Sequence, residues 1–163
     1  MTRDPIGEAH RQWAVHGWAV AADGMAMVTS LVRVQQLLME RIDAVLRPRG
    51  LSFARYEVLR LLSFTRDGAM PMSRLGSLLQ VHPTSVTSAV DRLVAQGYVE
   101  RVRGDADKRV VRAVITDAGR QAVEEATVAL NGAVFETPGL PEGEVRELTD
   151  RLTALRTGLG EIL

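Results

Sequence analysis

Between residues 71 and 117 the apolar period of the chain changes from helical to alternating and back, and few folds accept that order. Leu75, Leu78 and Leu79 recur at helical spacing and predict a short helix from Pro71 or Ser73 to Leu79. The stretch "QVHP" then turns the chain. Pro83 suits the first position of a second helix, where its missing N–H costs nothing. Gly97 suits a left-handed cap at the far end of that helix. Residues 98–103 and 109–115 are rich in Val, Ile and Tyr and flank a turn-rich gap, the pattern of a two-stranded hairpin. Thr116 can cap the next helix, and Asp117 suits its positive N-terminus. Two helices joined by a tight turn and followed by a hairpin make a winged helix-turn-helix.

Helices flank this block on both sides. A short one is predicted over 8–22, with Trp13, Val15 and Trp18, and Gly24 loosens its link to the next. Over 25–46, Val28, Leu31, Val32, Leu38, Met39, Ile42 and Leu46 form a long apolar stripe, ended by Pro48 and Gly50. A third helix covers 53–65, with Tyr56, Leu59 and either Leu62 or Ser63 inward, and "RDGAMP" follows as a turn. Helices over 117–135 and 142–161 complete the chain, the last with Val145, Leu148, Leu152, Leu155 and Leu159 on one side. The fold class is mainly α with a small β-hairpin wing: a winged helix-turn-helix flanked by N- and C-terminal dimerisation helices. The winged block is too small to cover the apolar stripes at 25–46, 117–135 and 142–161. Burial against the same helices of a second copy solves that symmetrically, so a homodimer is expected. The expected division is 1–52 as N-terminal helices of the dimerisation region, 53–115 as the winged helix-turn-helix domain, and 116–163 as C-terminal dimerisation helices.

The helix over 83–96 carries the functional signal. At about 100° per residue, Val86, Ala89, Val90, Leu93 and Val94 fall on a core side. Thr84, Thr87, Ser88, Asp91 and Ala95 fall opposite, with Ser85 and Arg92 flanking. A merely solvated face would favour Glu and Lys for helix propensity. Short hydroxyls instead allow close approach to a surface and bond phosphates or base edges. Arg92, further along the helix, suits a phosphate or a guanine. At the hairpin tip, "GDADKR" projects Lys108 and Arg109, which suit the minor groove. An Asp two residues from Arg109 can orient it first.

Charge supports an anionic partner for the middle of the chain. The net charge is zero, yet residues 70–115 hold seven basic against four acidic side chains, and residues 116–163 hold four against nine. Cysteine is absent, which removes disulfides, thiol nucleophiles and thiol redox sensing. The first twenty residues lack a basic start followed by a long apolar run, so no signal peptide is expected, and no segment approaches the ~20 apolar residues of a membrane span. A cytoplasmic protein is expected. His10, His16 and His82 form no i, i+4 ligand pair, so no metal is expected, and no cofactor motif is present. Without a Gly-rich phosphate loop, a Cys–His pair or a Gly-x-Ser-x-Gly turn, an enzyme is not expected. A winged helix serving only as a protein-interaction or dimerisation module is the alternative to DNA binding.

The stretches "SRLGSLLQVHPTSVTSAVDRLVAQGYVERV", "DADKR" with its Asp-x-Arg, and "VVRAVITDAGR" together resemble the MarR (multiple antibiotic resistance regulator) family of transcriptional regulators. The resemblance covers about residues 25–160. It implies a homodimeric regulator, most often a repressor, on a pseudo-palindromic double-stranded DNA operator. Thr84, Ser85, Thr87, Ser88 and Arg92 match the recognition-helix contacts. Asp107 and Arg109 match the wing pair, with Lys108 between them, and Ser73 and Arg74 sit where phosphate contacts are common. The resemblance also implies release by a small aromatic or phenolic anion. Trp13, His16, Trp18, Arg55 and Tyr56 are the candidate pocket residues.

Overall fold

The computed structural model describes residues 4–79, 83–103 and 110–162. The chain divides into two compact units, Met1–Phe53 and Ala54–Leu163. The first unit is a helical hairpin. Helix α1 (Pro5–Val15) opens with Pro5 at its start and with the Asp4 carboxylate accepting from the N–H groups of Ile6 and Gly7 at 3.1 Å each. It ends where Gly17 takes φ +87°. There Trp18 N–H donates to Trp13 O (2.9 Å) and Gly17 N–H to Ala14 O (3.3 Å), the paired bonds of a Schellman cap. Helix α2 (Ala19–Leu46) runs straight through Gly24. The expected break at Gly24 is therefore corrected to Gly17. A mid-helix glycine costs only about 1 kcal/mol, which packing of α1 along α2 offsets, whereas the left-handed turn falls to Gly17. His10 and Asp23, 2.8 Å apart, bridge the two helices.

The second unit begins with helix α3 (Phe53–Phe64), followed by strand β1 (Ala69–Pro71), helix α4 (Met72–Leu79) and helix α5 (Pro83–Ala95). Strands β2 (Val99–Arg103) and β3 (Val111–Ile115) come next, then helix α6 (Asp117–Leu130), a π-helical turn over Asn131–Phe135, and helix α7 (Glu142–Gly158). The sheet has three antiparallel strands in the order β1-β3-β2 rather than two. Segment Ala69–Pro71, expected as a turn, pairs with β3 in the register Ala69↔Val114 to Pro71↔Arg112. It sits at the sheet edge, where a proline is tolerated. Asp67 and Arg112, 2.7 Å apart, fasten the turn before it to β3.

A single junction joins the helix pair, the sheet and α6. Helix α5 ends at Gly97 (φ +75°), with Tyr98 N–H donating to Leu93 O at 2.9 Å. Tyr98 O accepts from Thr116 N–H (3.0 Å), while the Thr116 hydroxyl donates to Gly97 O (2.8 Å) and accepts from Gly119 N–H (3.1 Å) as the cap of α6. A Cβ on Gly119 would lie 2.2 Å from Tyr98 O and 2.9 Å from Ile115 Cγ1. The "TDAG" sequence is thus a cap followed by a close approach. The buried side chains of this unit include Leu59 and Leu62 from α3, Leu75 from α4, Val90 and Leu93 from α5, and Val123 from α6. Each such side chain contributes about 1.5–3 kcal/mol on burial.

Helices α3 and α6 are also tied by polar groups. The Arg60 guanidinium donates to Glu124 Oε1 (2.8 Å), Val123 O (3.1 Å) and the Thr127 hydroxyl, and lies 5.3 Å over the Phe64 ring. Tyr56, buried, places its hydroxyl 3.0 Å from Thr127 Oγ1. Hydrogen bonding by Arg60 holds the Glu124 carboxyl below its ordinary range.

Two predictions follow from this packing. Gly119→Ala forces a methyl into the Tyr98 carbonyl, and urea unfolding should show a loss of about 1–3 kcal/mol. An unchanged midpoint would mean that the junction yields freely. For Glu124, a carboxylate with a lowered folded pKa adds stability above its unfolded pKa and loses it as pH falls through the folded value. The stability difference between wild type and Glu124→Gln should therefore be present at neutral pH and close in acid. Parallel pH profiles for the two proteins would contradict the pairing.

Candidate nucleic-acid interface

Helix α5 presents two faces. Val86, Ala89, Val90 and Leu93 are buried, and Thr84, Ser85, Thr87, Ser88, Asp91 and Arg92 are exposed. Val94, expected on the core side, is 40% exposed. It stands about 80° round the wheel from Val86, at the margin of the apolar stripe. Core packing consequently turns the hydroxyl stripe outward and orients it. At the start of α4, Ser73 and Arg74 are both exposed, and Ser73 O accepts from the Ser77 hydroxyl at 3.2 Å. The wing candidates Asp107, Lys108 and Arg109 lie outside the described residues.

Sequence reasoning missed one residue of this surface. Arg101 of β2 places Nη1 2.8 Å from Asp91 Oδ1 and donates through Nη2 to Thr87 O at 3.4 Å. It grips α5 at two successive turns and neutralises the one acid of the outward stripe. Both partners are partly exposed, so the pair adds little to stability and its effect is on charge and orientation. The spacing of Asp91 one turn beyond Thr87 was visible in the sequence; its meeting with a strand residue was not. Beside this pair lies an open cavity of about 480 Å³, bounded by Ser73 of α4, Thr87 of α5, Arg101 of β2, and Val110 and Val111 at the start of β3.

The five candidate pocket residues fall in separate units, three in the first and two in the second. Each has a contact inside its own unit. Trp13 and Trp18 meet edge to face, with ring centroids 5.4 Å apart, and supply the apolar contact that accompanies the Schellman cap of α1. His16 stacks on Trp18 at 6.1 Å and places Nδ1 2.8 Å from Gln12 O. Arg55 donates to Gln96 Oε1 at 3.1 Å, tying α3 to the end of α5. Tyr56 is held in the α3–α6 tie described above. Among the described residues, no group of three or more His, Asp or Glu side chains is placed to hold a metal ion, and no helix is long and apolar enough to cross a membrane.

A helix pair that presents a short-hydroxyl face, backed by a three-stranded sheet, defines a winged-helix DNA-binding regulator of transcription. Comparison with known proteins agrees. The family model described as MarR family matches residues 49–110. The structure resembles that of Sco5413, a MarR family transcriptional regulator from Streptomyces coelicolor, with 44% identity, a TM-score of 0.77, and coverage of 85% of this chain and 96% of that one. It shares its fold with Sco3205, a MarR family transcriptional regulator from the same organism whose structure is a complex with DNA, at 23% identity and a TM-score of 0.75, covering 86% of this chain and 89% of that one. In sequence it is 26% identical to the HTH-type transcriptional regulator PecS of Dickeya dadantii over 117 residues, 70% of this chain and 69% of the relative. The chain belongs to the MarR family of transcriptional regulators.

Proposed function

We propose that the protein is a homodimeric repressor that reads a pseudo-palindromic operator in double-stranded DNA. The observation that carries this reading is the outward stripe of α5: short hydroxyls and Arg92 exposed, with the apolar side of the same helix buried. In this reading Thr84, Ser85, Thr87, Ser88 and Arg92 enter the major groove. Ser73 and Arg74 hold backbone phosphates, and Asp107, Lys108 and Arg109 form the tip that reaches the minor groove.

Uncovered apolar faces support the dimer. Helix α7 buries no residue within one chain, and α2 exposes Met27, Val28, Val32, Val34 and Leu37. Isolated faces of that size are costly in water unless a second copy covers them. Residues 1–52 and 116–163 therefore act as dimerisation segments and 53–115 as the DNA-binding domain. A two-fold dimer of this kind reads half-sites whose centres lie about 10 bp apart. A small aromatic or phenolic anion acts as the releasing ligand, with Trp13, His16, Trp18, Arg55 and Tyr56 as the residues to test. The protein works in the cytoplasm, without a cofactor and without catalysis of its own.

Selection of bound fragments from a random DNA pool tests the reading, with enrichment of an inverted repeat as the expected outcome. A folded dimer that enriches nothing would point to a protein-interaction module instead. On the selected site, Ser88→Ala and Arg92→Ala should each cost about 1–3 kcal/mol of specific binding where they touch bases. Equal losses on the selected site and on random DNA would reassign them to phosphates. Affinity should also fall steeply with salt, because Arg and Lys displace counterions; a flat response would contradict the interface.

A further inference from the structure

Arg55 stands at the wrong end of its own helix. It is the third residue of α3 (Phe53–Phe64), and a cation in the first turn opposes the positive end of the helix dipole. The same side chain reaches the right end of another helix. Its Nη1 donates to Gln96 Oε1 at 3.1 Å, and Gln96 directly follows the last residue of α5 (Pro83–Ala95), where the dipole favours a cation. Gln96 is also part of the closing turn of α5, since its N–H donates to Arg92 O at 3.0 Å. Arg92 is exposed on the outward side of that turn. Two hydrogen bonds in series therefore run from α3 to the backbone of Arg92. The first of them adds little to folding. Gln96 is exposed, and ordering two long side chains in water offsets most of what one neutral acceptor returns. Its effect is on direction. Arg101 holds α5 from the strand side, at Thr87 and Asp91, and Arg55 holds it from the α3 side, one turn past Arg92.

We propose that Arg55 is a positioning residue for the recognition helix: through Gln96 it fixes the last turn of α5, and with it the direction from which Arg92 meets DNA. This rests on the DNA-binding reading above and adds to it a residue of α3 that touches no DNA itself. Gripped at its middle and at its end, α5 resists rotation about its own axis. Loss of the Arg55 bond frees the last turn alone. The guanidinium of Arg92 lies far out from the helix axis, so a small rotation of that turn displaces it more than it displaces a short hydroxyl. The consequence therefore falls on the contact Arg92 makes, while the hydroxyls nearer the start of α5 keep theirs. No effector is needed for this role, whatever Arg55 does toward one.

A double-mutant cycle on DNA binding, made without any small ligand, tests this. Binding to the selected site and to random DNA is measured for wild type, Arg55→Ala, Gln96→Ala and Arg92→Ala, and for Arg92→Ala combined with each of the other two. Arg55→Ala and Gln96→Ala should each weaken the selected site by roughly fivefold, with the split between selected and random DNA that Arg92→Ala itself shows. Neither should cost anything further in the Arg92→Ala background, and both should leave the thermal midpoint almost unchanged. Arg55→Lys, which keeps a donor for Gln96, should recover most of the loss. A direct phosphate contact by Arg55 would give a different pattern. Gln96→Ala would then be harmless, and the Arg55→Ala penalty would persist without Arg92 and flatten the salt dependence. That result would overturn the proposal, as would penalties additive with Arg92→Ala or a selected site to which Arg92 contributes nothing. If Arg55→Ala proves unfolded, Gln96→Ala decides, because its side chain is exposed past the end of α5. Failure of wild type to select any site would instead overturn the DNA-binding reading, and the positioning role with it.

Discussion

The Tyr98 carbonyl is the point through which the winged unit is assembled. It accepts from Thr116 N–H at 3.0 Å, and the backbone of α6 approaches it so closely at residue 119 that no side chain fits. The end of α5, the first residue of β2, the last of β3 and the cap of α6 meet within this one contact set. The register Val99↔Ile115 follows directly from it. Because β3 also pairs with β1, and β1 leads straight into α4, the direction of the helix pair depends on the same junction. Apolar burial supplies most of the stabilisation here, yet it is non-directional. The hydrogen bonds to Tyr98 and Gly97 decide which way the elements point.

Orientation of α5 has a second determinant. Its buried side turns the hydroxyl stripe outward, and Arg101 then holds two of its turns from the strand side. An unneutralised acid on that stripe would oppose a polyanion. The Asp91–Arg101 pair lets the helix keep a carboxylate there without a net negative field. The α3–α6 tie works differently. The Arg60 side chain is 14% exposed and Glu124 is 65% exposed, so the guanidinium is desolvated while its counter-ion is not. This half-buried cation depends on its partners, because removing one leaves a partly desolvated charge less well compensated.

Much of the fold and the two faces of the candidate helix were legible in the sequence, and the boundary between legible and illegible is physical. The extent of α5 was readable because Pro83 and Gly97 act within one or two residues of themselves, as does the Thr116 cap. The core and outward sides of α5 were readable because the period of a helix is intrinsic; Val94 strayed because it stands at the margin of the stripe. Strand β1 was not readable: three residues, one of them proline, have no strand signal until β3 supplies the hydrogen bonds. Choosing Gly24 over Gly17 as the break failed for a similar reason. Both are glycines near a helix end, and the meeting of Trp13 with Trp18 across the turn determines which one leaves the helix.

Local physics written into the sequence therefore determined where α5 starts and stops and where α6 is capped, which side of α5 is apolar, and which short polar residues share its other side. Hydrogen bonds, caps and periods act over a few residues, and a single chain of letters carries them completely. Tertiary structure alone decided that Ala69–Pro71 becomes an edge strand, that Gly119 faces a carbonyl, and that Arg101 closes on Asp91 beside a cavity reached by Ser73 and Thr87. These contacts join residues whose separation along the chain has no fixed relation to their separation in space. They come into being only when the sheet register and the helix pair are set together.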